Sequence, residues 1–355
     1  MVTDAEQVKR WSEDIIDNYN DRHSDTVALI VSALLDLSAE QARITEVTAS
    51  KVVFEVSDSD GTSTHEHLLP GTVSAQEDVG SYLLALVRQA RATSPKAAIT
   101  SLEELLDKNA ALRTWPLSVV SAREITPQLR QITFRGDFEE FDYPGFDAFL
   151  FFIVPKPGET LPDDLTMADW RAMGADAQSS GAYYTIREMR ESEMDVWFVI
   201  HESYGAVSNW ARNAKAGMQV LAWGPRRAFE ADESLSHYYL LGDETSYGAI
   251  AAMLDQLPGS AKVTAILEAQ SSGVTVEMRQ EPGWAVQWVS RESAAPGTGD
   301  PILEAVESLP PPPTDNYYIY GAAEAGQISK IKKFLKAAWG SPGKRMRLIG
   351  YWRRR

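Results

Sequence analysis

LSVVSAR (117–123), LRQITFRG (129–136), AFLFFIVP (148–155), AYYTIRE (182–188), MDVWFVIH (194–201) and MQVLAWG (218–224) are six strand-like runs in close succession. Their period-two patterning is that of half-buried strands. Turn residues separate them and no long helical pattern intervenes, so the segment predicts a six-stranded antiparallel β-barrel. The stretch 156–180 interrupts the series with prolines and the sequence AlaAspTrpArgAlaMet, and reads as an insertion or lid between two strands.

C-terminal to the barrel the pattern alternates strand and helix. HYYLLGDE (237–244) precedes a helix near 247–254, and KVTAILEA (262–269) and WAVQWVS (284–290) are further strands. A helix near 302–308 leads into four prolines at 310–313. YYIYG (317–321) then meets a helix near 327–339, and RMRLIGYW (345–352) follows. Such alternation predicts an α/β domain with a parallel sheet under covering helices. Ligands of these sheets sit at the carboxyl ends of the strands, where Gly242–Thr245 and Gly321–Glu324 fall.

On the other side of the barrel, residues 1–92 read as a small α+β unit. Thr3 and Glu6 are spaced as a capping box. Ala5, Val8, Trp11, Ile15 and Tyr19 then recur at helical spacing, and a second helix covers about 26–37. A strand at 51–56, a turn at Asp60-Gly61 and a strand to about Leu69 come next. Ser74 and Glu77 open another helix, with Val79, Tyr82, Leu83, Leu86 and Val87 on one side. Residues 93–114 form a linker with a helix near 102–112. The expected domains are therefore 1–92, the linker 93–114, the barrel 115–235 and the α/β domain 236–355.

Composition narrows the chemistry. The chain has 355 residues and no cysteine, which excludes disulfides, thiolate metal sites and a cysteine-ligated iron–sulfur cluster. Redox chemistry here would need a bound organic cofactor or haem. No apolar run approaches a membrane span, and the acidic, amphipathic start does not read as a secretory signal. The net charge of −16 argues against a nucleic-acid partner. That charge is uneven: from Ala325 onward lie ten of the 34 basic residues and none of the 50 acidic ones. A basic end on an acidic body attracts small anions to one place, although a solvated helix face with a basic tail gives the same count.

A barrel followed by an α/β domain is the arrangement of flavin reductases resembling ferredoxin–NADP reductase. YYTIR (183–187), FVIHESYGAVSNWA (198–211), GDETSYGAI (242–250), QWVSR (287–291), AAEA (322–325) and GYWRRR (350–355) resemble, in order, the motifs of the siderophore-interacting protein family. Each is short, and six in order carry the assignment. The resemblance implies FAD in the barrel, NAD(P)H as electron donor and a ferric siderophore as substrate. Tyr184 would pack on the isoalloxazine and Thr185 would hydrogen-bond near its N5, with Arg187 close by. His201, Gly205, Ala206 and Ser208 would surround the pyrophosphate, and Trp210 would pack. His201 reads equally as a structural strand histidine. Gly242, Asp243, Glu244 and Thr245 would lie beside the nicotinamide and flavin, or serve as a helix cap. Arg291 would meet a ribose phosphate, or be a surface arginine. Glu324 and Trp352 would approach the flavin region, and Lys344, Arg345 and Arg353 would make a positive mouth for an anionic chelate.

Two positions depart from the family pattern: Ala182 stands where an arginine usually clamps the FAD phosphates, and Ala323 replaces the glycine before Glu324. The chain carries no GxGxxG fingerprint, so nicotinamide binding rests on the resemblance.

The N-terminal segment, through NDRHSDTVALI (20–30) and SYLLALVRQAR (81–91), resembles the small domain of split-barrel haem-utilisation proteins, with His23 at that domain's histidine position. His23 can equally cap a helix. His65 and His67 share a strand face but lack a third ligand.

The expected reaction passes a hydride from NAD(P)H to the flavin and single electrons on to Fe(III), releasing Fe(II) in the cytoplasm without a catalytic side chain. Three alternatives stay open: a haem-related reductase with haem at the N-terminal domain, a flavin-free siderophore carrier, and ferredoxin as electron donor.

Overall fold

The computed structural model describes residues 4–37, 41–59, 61–69, 71, 76–173, 179–201, 205–231 and 235–354. Thr3, Asp60 and Ser74, expected in caps and a turn, lie outside these residues. The chain divides at Ala111/Leu112 into two units.

In the first unit, helices α1 (Asp4–Arg22) and α2 (Ser24–Leu35) precede an antiparallel sheet of β1 (Gln41–Val47), β2 (Lys51–Asp58) and β3 (Gly61–Leu68). Helices α3 (Gln76–Thr93) and α4 (Ser101–Ala110) follow. Alternating side chains of β1 and β2, among them Ile44, Val52, Phe54 and Val56, meet Val27, Ile30 and Val31 of α2 and Leu83 and Val87 of α3. The segment read as a linker is anchored here. Thr100 and Glu103 form a capping box on α4, and Leu102 joins the core. Glu103 also takes both arms of Arg91 on α3, at 2.8 and 2.6 Å.

The second unit opens with β4 (Arg113–Thr126), β5 (Leu129–Arg135), β6 (Phe149–Val154), β7 (Ser180–Met189), β8 (Glu193–Val199) and β9 (Gln219–Arg226). They close into an antiparallel barrel in the order β4-β5-β8-β7-β6-β9. The inward positions of the six runs fill it: Leu117, Ile132, Phe134, Leu150, Phe152, Ile186, Val196, Phe198 and Ala222 are all buried. The described part of the insertion, residues 156–173, is held against the barrel. Its helix α5 (Met167–Ala172) and preceding turn set Leu165 and Met167 on Ile153, Leu221 and Trp223. Trp170 packs edge-on against Phe151 and donates to the Ser179 carbonyl at 3.0 Å. A short helix, α6 (Ala206–Arg212), follows β8.

The rest is the parallel sheet: β10 (His237–Gly242), α7 (Tyr247–Gln256), β11 (Lys262–Ala269), β12 (Ala285–Ser290), α8 (Pro301–Glu307), β13 (Tyr317–Glu324), α9 (Ala325–Ala338) and β14 (Met346–Trp352). The order β12-β11-β10-β13-β14 reverses direction between β10 and β13. β13 is buried along its whole length, as a central parallel strand covered on both faces must be. At Gly242 there is no room for a side chain: an added Cβ would run into Ser246 and Ile250. Barrel and sheet share one core, in which Leu129, Phe146 and Val199 pack with Phe229, Tyr238, Tyr247 and Tyr320.

Candidate functional site

Two adjoining cavities run along the barrel wall. One, of about 550 Å³, is lined by Trp170, Ser179–Ala182, Tyr184, His201 and Gly205–Ser208. The other, of about 640 Å³, shares Ser180 and Ala206 with it and extends past Val154–Leu161, Asn209, Trp210 and Gly217–Gln219. Together they make a groove in which β7 supplies one wall and α6 the other.

Tyr184 stands in this groove, its ring 4.2 Å from that of Phe198. Burial pushes its phenol up to about 12, so it stays neutral in the physiological range. The Trp210 ring lies nearly parallel to Phe134, and its Nε1 is buried with no hydrogen-bond partner. A buried donor left open beside a cavity is what a ligand acceptor would satisfy. Gly205 precedes α6 and faces open space, since an added Cβ would meet nothing within 4 Å. His201 is half-buried, and burial lowers its pKa while Asp243 partly opposes.

Other expected residues are engaged elsewhere. Ser208 lies inside α6, where its hydroxyl donates to the Val199 carbonyl and accepts from His201 N, so it latches β8 to α6. Thr185 lies on the opposite face of β7 from Tyr184 and is buried close to the Tyr351 hydroxyl. Arg187 shares that face. It pairs with Asp255 of α7 at 2.5 Å and sits over the Trp197 ring, and it lines neither cavity. Arg226 sits over Phe149, Tyr183 and Trp223, and no carboxylate pairs with it among the described residues. Ala182 lines the groove. The Ala323 methyl packs into the core beneath α9 with Ile328 and does not crowd an approach.

A second set gathers at the carboxyl ends of β10, β11 and β13. Asp243 caps the turn after β10, accepting from Thr245 N and from Trp352 Nε1 on β14. Burial raises its pKa to about 6. Glu268 of β11 is raised to about 7, again by burial, and accepts from Gln327 at 3.1 Å. Glu324 caps α9 through Gly326 N and Gln327 N. Arg291 is neither at the surface nor free for a phosphate: its side chain is buried, 2.5 Å from Glu244 and 3.4 Å from Glu268. A lone arginine after a strand gives no sign of partners 47 and 23 residues away.

The expected positive mouth divides. Arg353 is exposed at the carboxyl end of β14. Lys344 and Arg345 precede the amino end of that strand, beside a depression that includes Tyr317 and Tyr318. Seven residues of strand separate the two ends by about 20 Å, so they cannot line one mouth.

In the N-terminal unit, His23 is the N-cap residue of α2, buried, with Nδ1 2.9 Å from Ser101 Oγ. His65 hydrogen-bonds Ser63. Among the described residues no three His, Cys, Asp or Glu side chains gather as metal ligands, and no helix is long and apolar enough to cross a membrane.

The sequence did not single out Asp147, Tyr320 or the unpartnered Trp210 N–H. An aspartate beside AFLFFIVP and a second tyrosine in YYIYG were the available signals.

A closed barrel joined to a parallel sheet whose order reverses at β10/β13 is the fold of ferredoxin reductases. Residues 118–229 match the siderophore-interacting FAD-binding domain and residues 235–355 match the siderophore-interacting protein domain. The chain belongs to the siderophore-interacting protein family. A siderophore utilization protein from T. fusca is 28% identical, with a TM-score of 0.60 over 68% of this chain and 94% of that one. The ferric vibriobactin reductase of Vibrio cholerae is 26% identical over 48% of this chain and 64% of its own length. The NADPH-dependent ferric-chelate reductase of Escherichia coli is 22% identical over 68% of this chain and 93% of its own. The groove fits the family's FAD: an aromatic face at Tyr184, open space at Gly205 and an unsatisfied N–H at Trp210 all lie within the matched FAD-binding segment.

Proposed function

We propose that the chain is an FAD-dependent reductase of a ferric siderophore, drawing electrons from NAD(P)H and releasing Fe(II) in the cytoplasm. The observation that carries this reading is the groove between β7 and α6, with the Tyr184 ring and the open Trp210 N–H. Bound FAD would supply conversion of a two-electron input into single-electron output, which suits reduction of Fe(III).

The side chains then bind and orient. Tyr184, backed by Phe198, offers a rigid apolar face. Trp210 offers one donor, and Gly205 and Ala206 leave room for close backbone approach. Ala182 provides no cation, and Arg187 is committed to Asp255, so neither clamps a phosphate. NAD(P)H would bind at the reversal between β10 and β13, the usual ligand position in such sheets. Asp243 and Trp352 hold the two sides of that position together. Exposed Arg353 adds positive potential there for an anionic chelate.

An absorbance spectrum of the purified chain tests this, repeated anaerobically with NADH, NADPH and then a ferric siderophore. Flavin bands that bleach with nicotinamide and return with the chelate are expected. Bound flavin that nicotinamide leaves oxidised would shift the donor to a ferredoxin. A protein that takes up no FAD would overturn the reductase reading and leave a carrier.

A further inference from the structure

We infer that Lys156, in the insertion between β6 and β7, is the cation that meets the diphosphate of FAD, and that the cavity of about 640 Å³ takes the ADP half of the cofactor. The inference rests on the flavin reading above and deepens it, naming what replaces the arginine absent at position 182.

A diphosphate brings negative charge to a chain that already carries −16, so its binding calls for a local cation. Among the described residues, Lys156 is the one lysine or arginine that lines either cavity. The arginines around the groove are engaged with protein atoms. Arg187 pairs with Asp255, Arg212 donates to the His201 carbonyl at 2.7 Å, and Arg130 donates to the Ala214 carbonyl at 3.3 Å.

Local sequence holds Lys156 at the cavity wall. Lys156-Pro157-Gly158-Glu159 has the pattern of a type II turn, with proline first and glycine second at its centre. Gly158 takes φ +82°, which glycine adopts without strain, and Glu159 N donates to the Lys156 carbonyl at 3.0 Å. A lysine that served only to solvate this turn would be exposed, as Pro157, Gly158 and Glu159 are. Lys156 is instead half-buried and lines the cavity.

Strand register puts the lysine at the right end of the groove. β6 and β7 pair Phe152 with Ala182 and Val154 with Ser180, so Lys156 stands just beyond the Ser180 end. Ser180 and Ala206 belong to both cavities, which makes that end their junction. From Ser180 to Tyr184 is about 13 Å of strand, room for a ribityl chain between a ring at Tyr184 and phosphates at the junction. Trp210 lines the same cavity as Lys156. It is 8% exposed, and its Nε1 has no hydrogen-bond partner. A buried open N–H and an ammonium group on one cavity suit the same ligand, one rich in anionic acceptor oxygens.

The test titrates the flavin-free full chain with FAD, riboflavin and ADP by calorimetry at low and high salt, with a melting curve for each variant. Lys156→Gln should weaken FAD and ADP about tenfold or more at low salt and leave riboflavin within about twofold. It should also flatten the salt dependence of FAD binding. Lys262→Gln removes the same charge at the exposed amino end of β11 and should change none of the three affinities. Losses of FAD and ADP affinity no larger in Lys156→Gln than in Lys262→Gln overturn the role of Lys156 and leave the flavin reading standing. Equal losses for FAD and riboflavin do the same, since they mark a disturbed barrel rather than a lost phosphate contact. Wild-type protein that holds riboflavin as tightly as FAD also overturns the inference alone. A chain that binds neither flavin overturns both.

Discussion

Trp352 Nε1 donates to Asp243 Oδ2 at 2.7 Å, joining the carboxyl end of β14 to the turn after β10 across the intervening strand β13. The acceptor is a buried carboxyl whose pKa burial raises to about 6, and Glu268 nearby is raised to about 7. Free carboxyls in an unfolded chain titrate near ~4. The folded state therefore holds these protons more tightly than the unfolded state.

Stability should accordingly fall as pH rises from about 4 towards 7 and then level off, as far as these two groups contribute. Glu268→Gln should remove part of that slope, on the order of 2 kcal/mol. Urea denaturation of wild type and variant at pH 5 and pH 8 measures it. A slope unchanged by the substitution would contradict the assignment.

Arg291 is buried between the buried Glu268 and the partly exposed Glu244, so Arg291→Gln should destabilise the Leu112–Arg355 unit by about 3 kcal/mol. A surface arginine would cost almost nothing on removal. Denaturant midpoints separate the two cases, and reverting the charge balance with Glu244→Gln in the same chain should recover part of the loss.

Trp210→Phe keeps an aromatic ring against Phe134 and deletes the unpartnered N–H. Thermal stability of the flavin-free protein should hold or rise, while FAD affinity should drop about five- to tenfold, the worth of one hydrogen bond. Flavin fluorescence titration together with a melting curve reads both. Equal affinity would mean that the indole N–H does not meet the cofactor.

Arg353→Ala should raise KM for an anionic ferric chelate severalfold, more so at low ionic strength. Lys344→Ala and Arg345→Ala should leave KM unchanged, since they sit at the opposite end of β14. Steady-state reduction at two salt concentrations compares the three.

The barrel was legible because its strands alternate, and alternation records which face is wet. The parallel sheet was legible because strand and helix patterns alternate from His237 onward. The misplaced residues share a different cause. Lys344, Arg345 and Arg353 form one basic cluster along the chain, yet a strand between them turns nearness in sequence into distance in space. Ser208 and Arg187 carry suitable groups for phosphate, but their partners, Val199 and Asp255, become neighbours only when β8 meets α6 and β7 meets α7. Asp147 was invisible for the same reason: its partners, the amides of Ala228 and Phe229, lie 81 and 82 residues further along the chain.

The core that joins Leu129, Phe146 and Val199 to Tyr238, Tyr247 and Tyr320 has a consequence for ancestry and engineering. The two family segments meet near residue 230, which invites treating them as interchangeable cassettes. Separating them there would strip Phe229 and Tyr238 of their cover and expose a sticky aromatic surface. Recombination between relatives should therefore succeed only when both halves travel together, and a chimera that swaps one half will need its partner's lining residues swapped as well.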